Sequence, residues 1–184
     1  MNICFLSLLN PFDIKSWSGT LYHITDNLVK QNTVEWVGRN MVSQSYAYRS
    51  KAEYYPEFYA QLYGSILSER INRQGFDIVI VRDYFFGAYL DINIPIVYIG
   101  DTTFRLFKTN LNIPSAKFEK IADDVEKRMI ENADCIILSS KWAKTSAIED
   151  YYCNKKKVQI VEFGANIPNP LDYEIDIPVV IKTF

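Results

Sequence analysis

Residues 3–20 read Ile3-Cys4-Phe5-Leu6-Ser7-Leu8-Leu9-Asn10-Pro11-Phe12-Asp13-Ile14-Lys15-Ser16-Trp17-Ser18-Gly19-Thr20. The apolar run over 3–9 has the character of a strand covered on both faces. Asn10-Pro11 breaks that run, a loop follows, and a helix is expected from Gly19 to about residue 30, with Ser18 as its N-cap. Leu21, Ile24, Thr25 and Leu28 share one stripe of that helix. Strand, loop and glycine-started helix together build an anion site from backbone. The free N–H groups of the first turn point outward with the positive end of the helix dipole, and Gly19 admits a close approach.

The same alternation continues along the chain. A short second strand is expected over 34–37. The polar, tyrosine-rich segment 41–55 fits no single element. Pro56 suits the first turn of a helix reaching about Arg73 and ended by Gly75. Strands follow over 77–81 and 94–99, and Pro114 can open a long helix to about Asn132. Its stripe of Phe118, Ile121, Val125 and Met129 reads as core. A fifth strand covers 135–138, Ser139 or Ser140 caps a helix to about Tyr151, and a sixth strand covers 158–161. Strands alternating with helices predict an α/β fold, a doubly wound and mostly parallel Rossmann-like sheet with right-handed crossovers. Pro168, Pro170 and Pro178 crowd the end, as in an extended linker.

Composition excludes several functions. The chain has 184 residues, 48% of them apolar, enough for a proper core. The net charge of −2 has no basic face, which argues against nucleic acid. Aromatic residues reach 15%, mostly tyrosines suited to core edges. Cys4 and Cys135 lie inside strand patterns, Cys153 stands apart, and a single His23 offers no metal set. That usage fits a reduced, cytoplasmic protein with no metal and no cofactor. No signal peptide or stretch of ~20 apolar residues is present, and peripheral membrane contact has no support in the sequence.

In an open parallel sheet, ligands sit beyond the carboxyl ends of the strands. The candidate rim is therefore the loop 10–19, Arg82-Asp83-Tyr84, Gly100-Asp101-Thr102-Thr103, Ser139-Ser140 and Glu162-Phe163-Gly164-Ala165-Asn166. Asp101 either caps a turn or orients an acceptor hydroxyl. Arg82-Asp83 is either a local ion pair or a catalytic couple, and Arg82 and Thr102 are further candidates for binding substrate or donor. The Gly19 loop is neither G-x-G-x-x-G nor G-x-x-x-x-G-K-[ST], which argues against a dinucleotide site and excludes a P-loop.

Three stretches resemble one known family. They are Ser16-Trp17-Ser18-Gly19-Thr20; Ala133-Asp134 leading into Cys135-Ile-Ile-Leu-Ser-Ser-Lys-Trp-Ala; and Lys157-Val158 leading to Phe163-Gly164-Ala165-Asn166. In that order and spacing they resemble the amino-terminal domain of retaining GT-B glycosyltransferases, family 4 in particular, over residues 1–170. The resemblance implies the acceptor-side lobe of a hexosyltransferase, with 171–184 a linker toward a carboxyl-terminal donor-binding lobe. Its partners would be a nucleotide-sugar donor and a glycan, lipid-linked or small-molecule acceptor. Ser18, Gly19 and Thr20 would approach the donor phosphates, Asp101 would be the catalytic cleft residue, and Gly164, Ala165 and Asn166 would border the crevice. Two departures stand out: the family's frequent Gly-Gly is Ser18-Gly19 here, and Gly100 replaces a histidine before Asp101. The groups that hold the leaving diphosphate belong to the other lobe, so this chain alone is expected to transfer no sugar. The alternative is a stand-alone, non-enzymatic module that recognises a sugar or nucleotide. A phosphorelay receiver lacks its required acids at the first strand.

Overall fold

The computed structural model describes residues 1–38, 56–110, 113, 115–164 and 166. The segment 41–55, Pro114, Ala165 and the proline-rich 167–184 therefore lie partly or wholly outside the described residues. Within them run β1 (Asn2–Leu6), α1 (Thr20–Val29), β2 (Thr33–Trp36), α2 (Pro56–Gln74), β3 (Ile78–Val81) and α3 (Tyr84–Gly87). There follow β4 (Ile96–Gly100), α4 (Phe104–Phe107), α5 (Ala116–Asn132), β5 (Cys135–Leu138), α6 (Lys141–Glu149) and β6 (Val158–Ile160).

The six strands form one all-parallel sheet in the order β2-β1-β3-β4-β5-β6. This is a doubly wound, Rossmann-like α/β fold. Handedness explains its layers. The step from β1 to β2 moves one way across the sheet, and every later step among the described strands moves the other way. Right-handed crossovers therefore place α1 on one face and the remaining helices on the opposite one.

Alternation along each strand supplies both cores. Cys4, Leu6, Val79, Val81, Tyr98 and Ile136 face α2, α3, α5 and α6, where Leu67, Ile71, Phe86, Val125 and Met129 are buried. Ile3, Phe5, Ile80 and Ile99 face the other way, where Leu21 of α1 is buried among them and Ile24 and Leu28 pack alongside. Burial pushes the Cys4 thiol well above its ordinary range, as befits a small core residue rather than a nucleophile.

Several boundaries differ from the sequence expectations for local reasons. β1 ends at Leu6 because side chains capture the next residues. The Leu8 amide donates to Asp83 Oδ2 at 2.7 Å, and Ser7 Oγ donates to the Leu9 carbonyl at 2.6 Å. α2 runs to Gln74 and stops at Gly75, whose φ of +66° only glycine adopts easily. Ser115 is the N-cap of α5, accepting the Phe118 N–H at 3.1 Å. Ser140 caps α6 in the same way through the Ala143 N–H, also at 3.1 Å.

The expected Ser18 cap of α1 is corrected. Gly19 holds the N-cap position with φ 86°, and no side chain caps it. Ser18 cannot serve, because its own backbone is left-handed at φ 54°, outside the extended region a capping residue adopts.

Candidate functional site

The strand order reverses between β1 and β3, and the crevice beyond their carboxyl ends is where this architecture admits ligands. The loop from Ser7 to Gly19 leaves β1 there, and Arg82 leaves β3 beside it. Trp17, Ser18 and Gly19 are consecutive left-handed residues with φ of 50°, 54° and 86°. Each non-glycine residue held there costs about 1–2 kcal/mol, so neighbouring groups must hold the turn.

Three of them do. The Arg82 guanidinium lies over the Trp17 ring at 4.1 Å from its centroid, while Arg82 Nη1 stands 3.8 Å from Asp83 Oδ1. Phe163 meets Trp17 edge-on with centroids 5.2 Å apart. Asn166 Nδ2 donates to the Ser18 carbonyl at 2.7 Å and to Thr20 Oγ1 at 3.0 Å. Gly19 is the close approach: a Cβ added there would stand 3.3 Å from Asn166 Cβ. The chain's own Asn166 occupies the space that the glycine opens.

Val161 to Gly164 follow β6, and Asn166 is the residue that reaches the Gly19 turn; Val161, Glu162, Gly164 and Asn166 are exposed.

Asp101 and Thr102 follow the last residue of β4 and are half-buried on the same rim. β3 separates β4 from β1, so their strand ends stand ~10 Å apart. The Asp101 carbonyl accepts from Ser139 Oγ at 3.3 Å, and Thr102 Oγ1 donates to the Thr103 carbonyl at 3.3 Å. The N-cap position of α4 belongs to Thr103, two residues after Asp101. The structure thus brings Ser18, Gly19, Thr20, Arg82 and Asn166 into one assembly and puts Asp101 and Thr102 farther along the same edge. Gly164 is exposed between Phe163 and Asn166 in sequence, and Ala165 falls outside the described residues.

Compared with protein-family models and with curated proteins, the chain matches none of them. The site therefore rests on its own chemistry. The Arg82 guanidinium, a helix N-terminus, the hydroxyls of Ser18, Thr20 and Thr102 and the Asp101 carboxylate form a polar rim suited to an anionic, hydroxyl-rich ligand. Among the described residues no His, Cys, Asp and Glu cluster could hold a metal ion, and no helix is long and apolar enough to cross a membrane.

Two open grooves of about 560 and 460 Å³ flank Tyr89 between α2, the segment after α3 and the end of α5, and none of the rim residues lines them. Their chief polar groups are already engaged. Arg128 lies over the Tyr89 ring at 4.3 Å, and Asn132 Nδ2 donates to the Gly87 and Leu90 carbonyls.

Sequence reasoning missed two parts of the site. Trp17 was passed over as a loop residue, yet it is the platform between Arg82 and Phe163. Glu126 was hidden in the core stripe of α5, although it lies four residues from both buried Ala122 and buried Ile130. It is only 1% exposed, and its carboxylate accepts Tyr98 Oη at 3.0 Å, Tyr151 Oη at 2.8 Å and the Phe104 N–H. Burial pushes its pKa up to about 7 against those hydrogen bonds. An acid at a core-stripe position was the available signal.

Proposed function

We propose that this chain is the acceptor-side lobe of a retaining, nucleotide-sugar-dependent glycosyltransferase. The observation that carries the reading is the docking of Asn166 onto the Gly19 loop. It joins two of the three stretches on which the family resemblance rests, which stand far apart in sequence. In this reading the rim takes the acceptor, with Asp101 and Thr102 holding its hydroxyl near the donor. The Gly19 turn and Arg82 face the donor phosphates. Phe163 and Asn166, which meet the Gly19 turn, border the crevice on the side of a donor-binding lobe.

The retaining transfer leaves charge on a departing diphosphate, and stabilising that charge is a large share of catalysis. This rim offers one helix N-terminus, worth about 0.3–1 kcal/mol per contact, and one arginine already stacked on Trp17. Calorimetric titration of this chain with UDP- and GDP-sugars is therefore expected to give dissociation constants of about 1 mM or weaker. Micromolar binding by this chain alone would overturn the division between lobes in favour of a self-sufficient binding module.

A further inference from the structure

The loop that carries Asp101 and Thr102 is tied down from beneath by a buried cluster that the reading above does not use. Phe104 opens α4, three residues after Asp101, and its N–H donates to Glu126 Oε2. Tyr151 Oη donates to that same oxygen, and Tyr98 Oη donates to Oε1. Thr103 is 2% exposed, and its hydroxyl pairs with Ser146 Oγ at 2.7 Å. Thus β4, α4, α5 and the end of α6 meet at one carboxylate directly below the rim.

We propose that Glu126 is a positioning residue for the Asp101–Thr103 rim, and that its gain of a proton resets the loop through the Phe104 amide. The importance of that loop rests on the function proposed above; the proton coupling itself does not.

The chemistry follows from what each partner can do. An ionised carboxylate accepts all three donors, and its bond from the Phe104 N–H is charge-assisted. A proton on Glu126 needs an acceptor of its own. An amide N–H cannot accept, whereas a tyrosine hydroxyl can turn from donor to acceptor. Tyr151 is the hydroxyl that can turn, because Asp123 Oδ1 stands 2.8 Å from its oxygen and can accept its O–H. Oε2 then carries the new proton and donates it to Tyr151 Oη, while Tyr98 still donates to Oε1. The Phe104 bond then loses its charge assistance, and the start of α4 is held more weakly.

The surrounding charges are compatible with this exchange. Tyr98 from β4 and Tyr84 from α3 are both pushed upward, chiefly by burial, and remain neutral hydroxyls near pH 7. Tyr151, after α6, is raised for the same reason. Burial also opposes ionisation of Asp123 on the same helix, but hydrogen bonds from Arg105 and Tyr151 hold it below the usual carboxylate range. Asp123 therefore stays negative and keeps Arg105 of α4, which also donates to the Asp150 carbonyl. Ser146 Oγ donates to the Asp150 carboxylate at 2.5 Å. Arg82 adds positive charge from the end of β3 and acts on Tyr98.

The stability linkage has a definite sign. The folded pKa of about 7 lies above the ordinary 4.5. The stabilising contribution of the proton is therefore fully present below pH 4.5 and is lost as pH rises through about 7. Glu126→Gln removes this titration, so the melting temperature of the wild type should fall relative to the variant across that window.

The deciding experiment is an NMR titration of the whole chain, without ligand, from about pH 4 to about pH 9. It follows the Glu126 side-chain carboxyl carbon and the Phe104 amide. Both should move together with a midpoint of about 7, and the Phe104 amide should be flat over that range in Glu126→Gln. A Glu126 midpoint near ~4.3, as for an exposed glutamate, would overturn the proposal. So would a Phe104 amide that ignores the carboxyl's titration, or melting temperatures of the two proteins that run parallel with pH. Should the variant fail to fold, the wild-type titration still decides. Because no sugar or nucleotide is present, its outcome is independent of the proposed transfer activity.

Discussion

In the glycosyltransferase proposed above, Asp101→Asn is expected to lower turnover by ~10²–10⁴-fold, the usual contribution of a positioned proton-handling group. The substitution keeps size and hydrogen bonding but removes the charge. Asp101 sits at the carboxyl end of β4, half-buried on the rim, where its carbonyl rather than its carboxylate accepts from Ser139. The following helix has Thr103 at its N-cap position, so Asp101 is not needed to start it. The melting temperature should accordingly stay near that of the wild type. Intact turnover with a lowered melting temperature would instead mark Asp101 as a turn residue worth about 1 kcal/mol.

Phe5→Ala is expected to cost about 3–5 kcal/mol of stability. Phe5 is fully buried at the centre of the smaller face, packed among Ile3, Ile80, Ile99 and Leu21. Only α1 covers that face among the described helices, so a cavity there has little material to collapse into it. At ~2–4 °C per kcal/mol for a chain of this size, the melting temperature should fall by roughly 6–20 °C. The loss would also slacken the seat of α1 and the turn at Gly19 above it. A thermal scan checks the magnitude, and a drop under about 2 °C would mean that α1 is not held by this core.

Most of the sheet was legible in the sequence because strands buried on both faces carry their signal in continuous apolar runs, as in Ile78–Val81 and Cys135–Leu138. The long helices declared themselves through caps and stops: Gly75 after α2, and Ser140 before α6. The rim followed from topology, since every strand of a parallel sheet delivers its loop to one edge.

What escaped was set by tertiary contact. The one-turn helices α3 and α4 are too short for a periodic pattern. Ser18 had the composition of a cap, but the left-handed turn at Trp17–Gly19 displaced it, and that turn is held by Arg82, Phe163 and Asn166 from distant parts of the chain. Glu126 shares the buried stripe of α5 with Ala122 and Ile130, but its partners Tyr98, Phe104 and Tyr151 come from other elements, so the helix alone does not show what it binds. Asn166 is placed at the rim by its motif, yet its contact with the Gly19 turn joins residues 146 or more apart in sequence, which no local pattern records.

In the function proposed above, the carboxyl rim between the Gly19 turn and Asp101 faces a nucleotide sugar and its acceptor. The decisive measurement follows the backbone amides of this chain while UDP- and GDP-sugars are added to about 10 mM, above the weak affinity expected. The amides of Gly19, Thr20, Arg82, Asp101 and Thr102 are expected to shift together, while those around Tyr89 and Arg128 stay still. Shifts confined to the Tyr89 grooves, or no shift anywhere along the rim, would rule out a ligand at this edge.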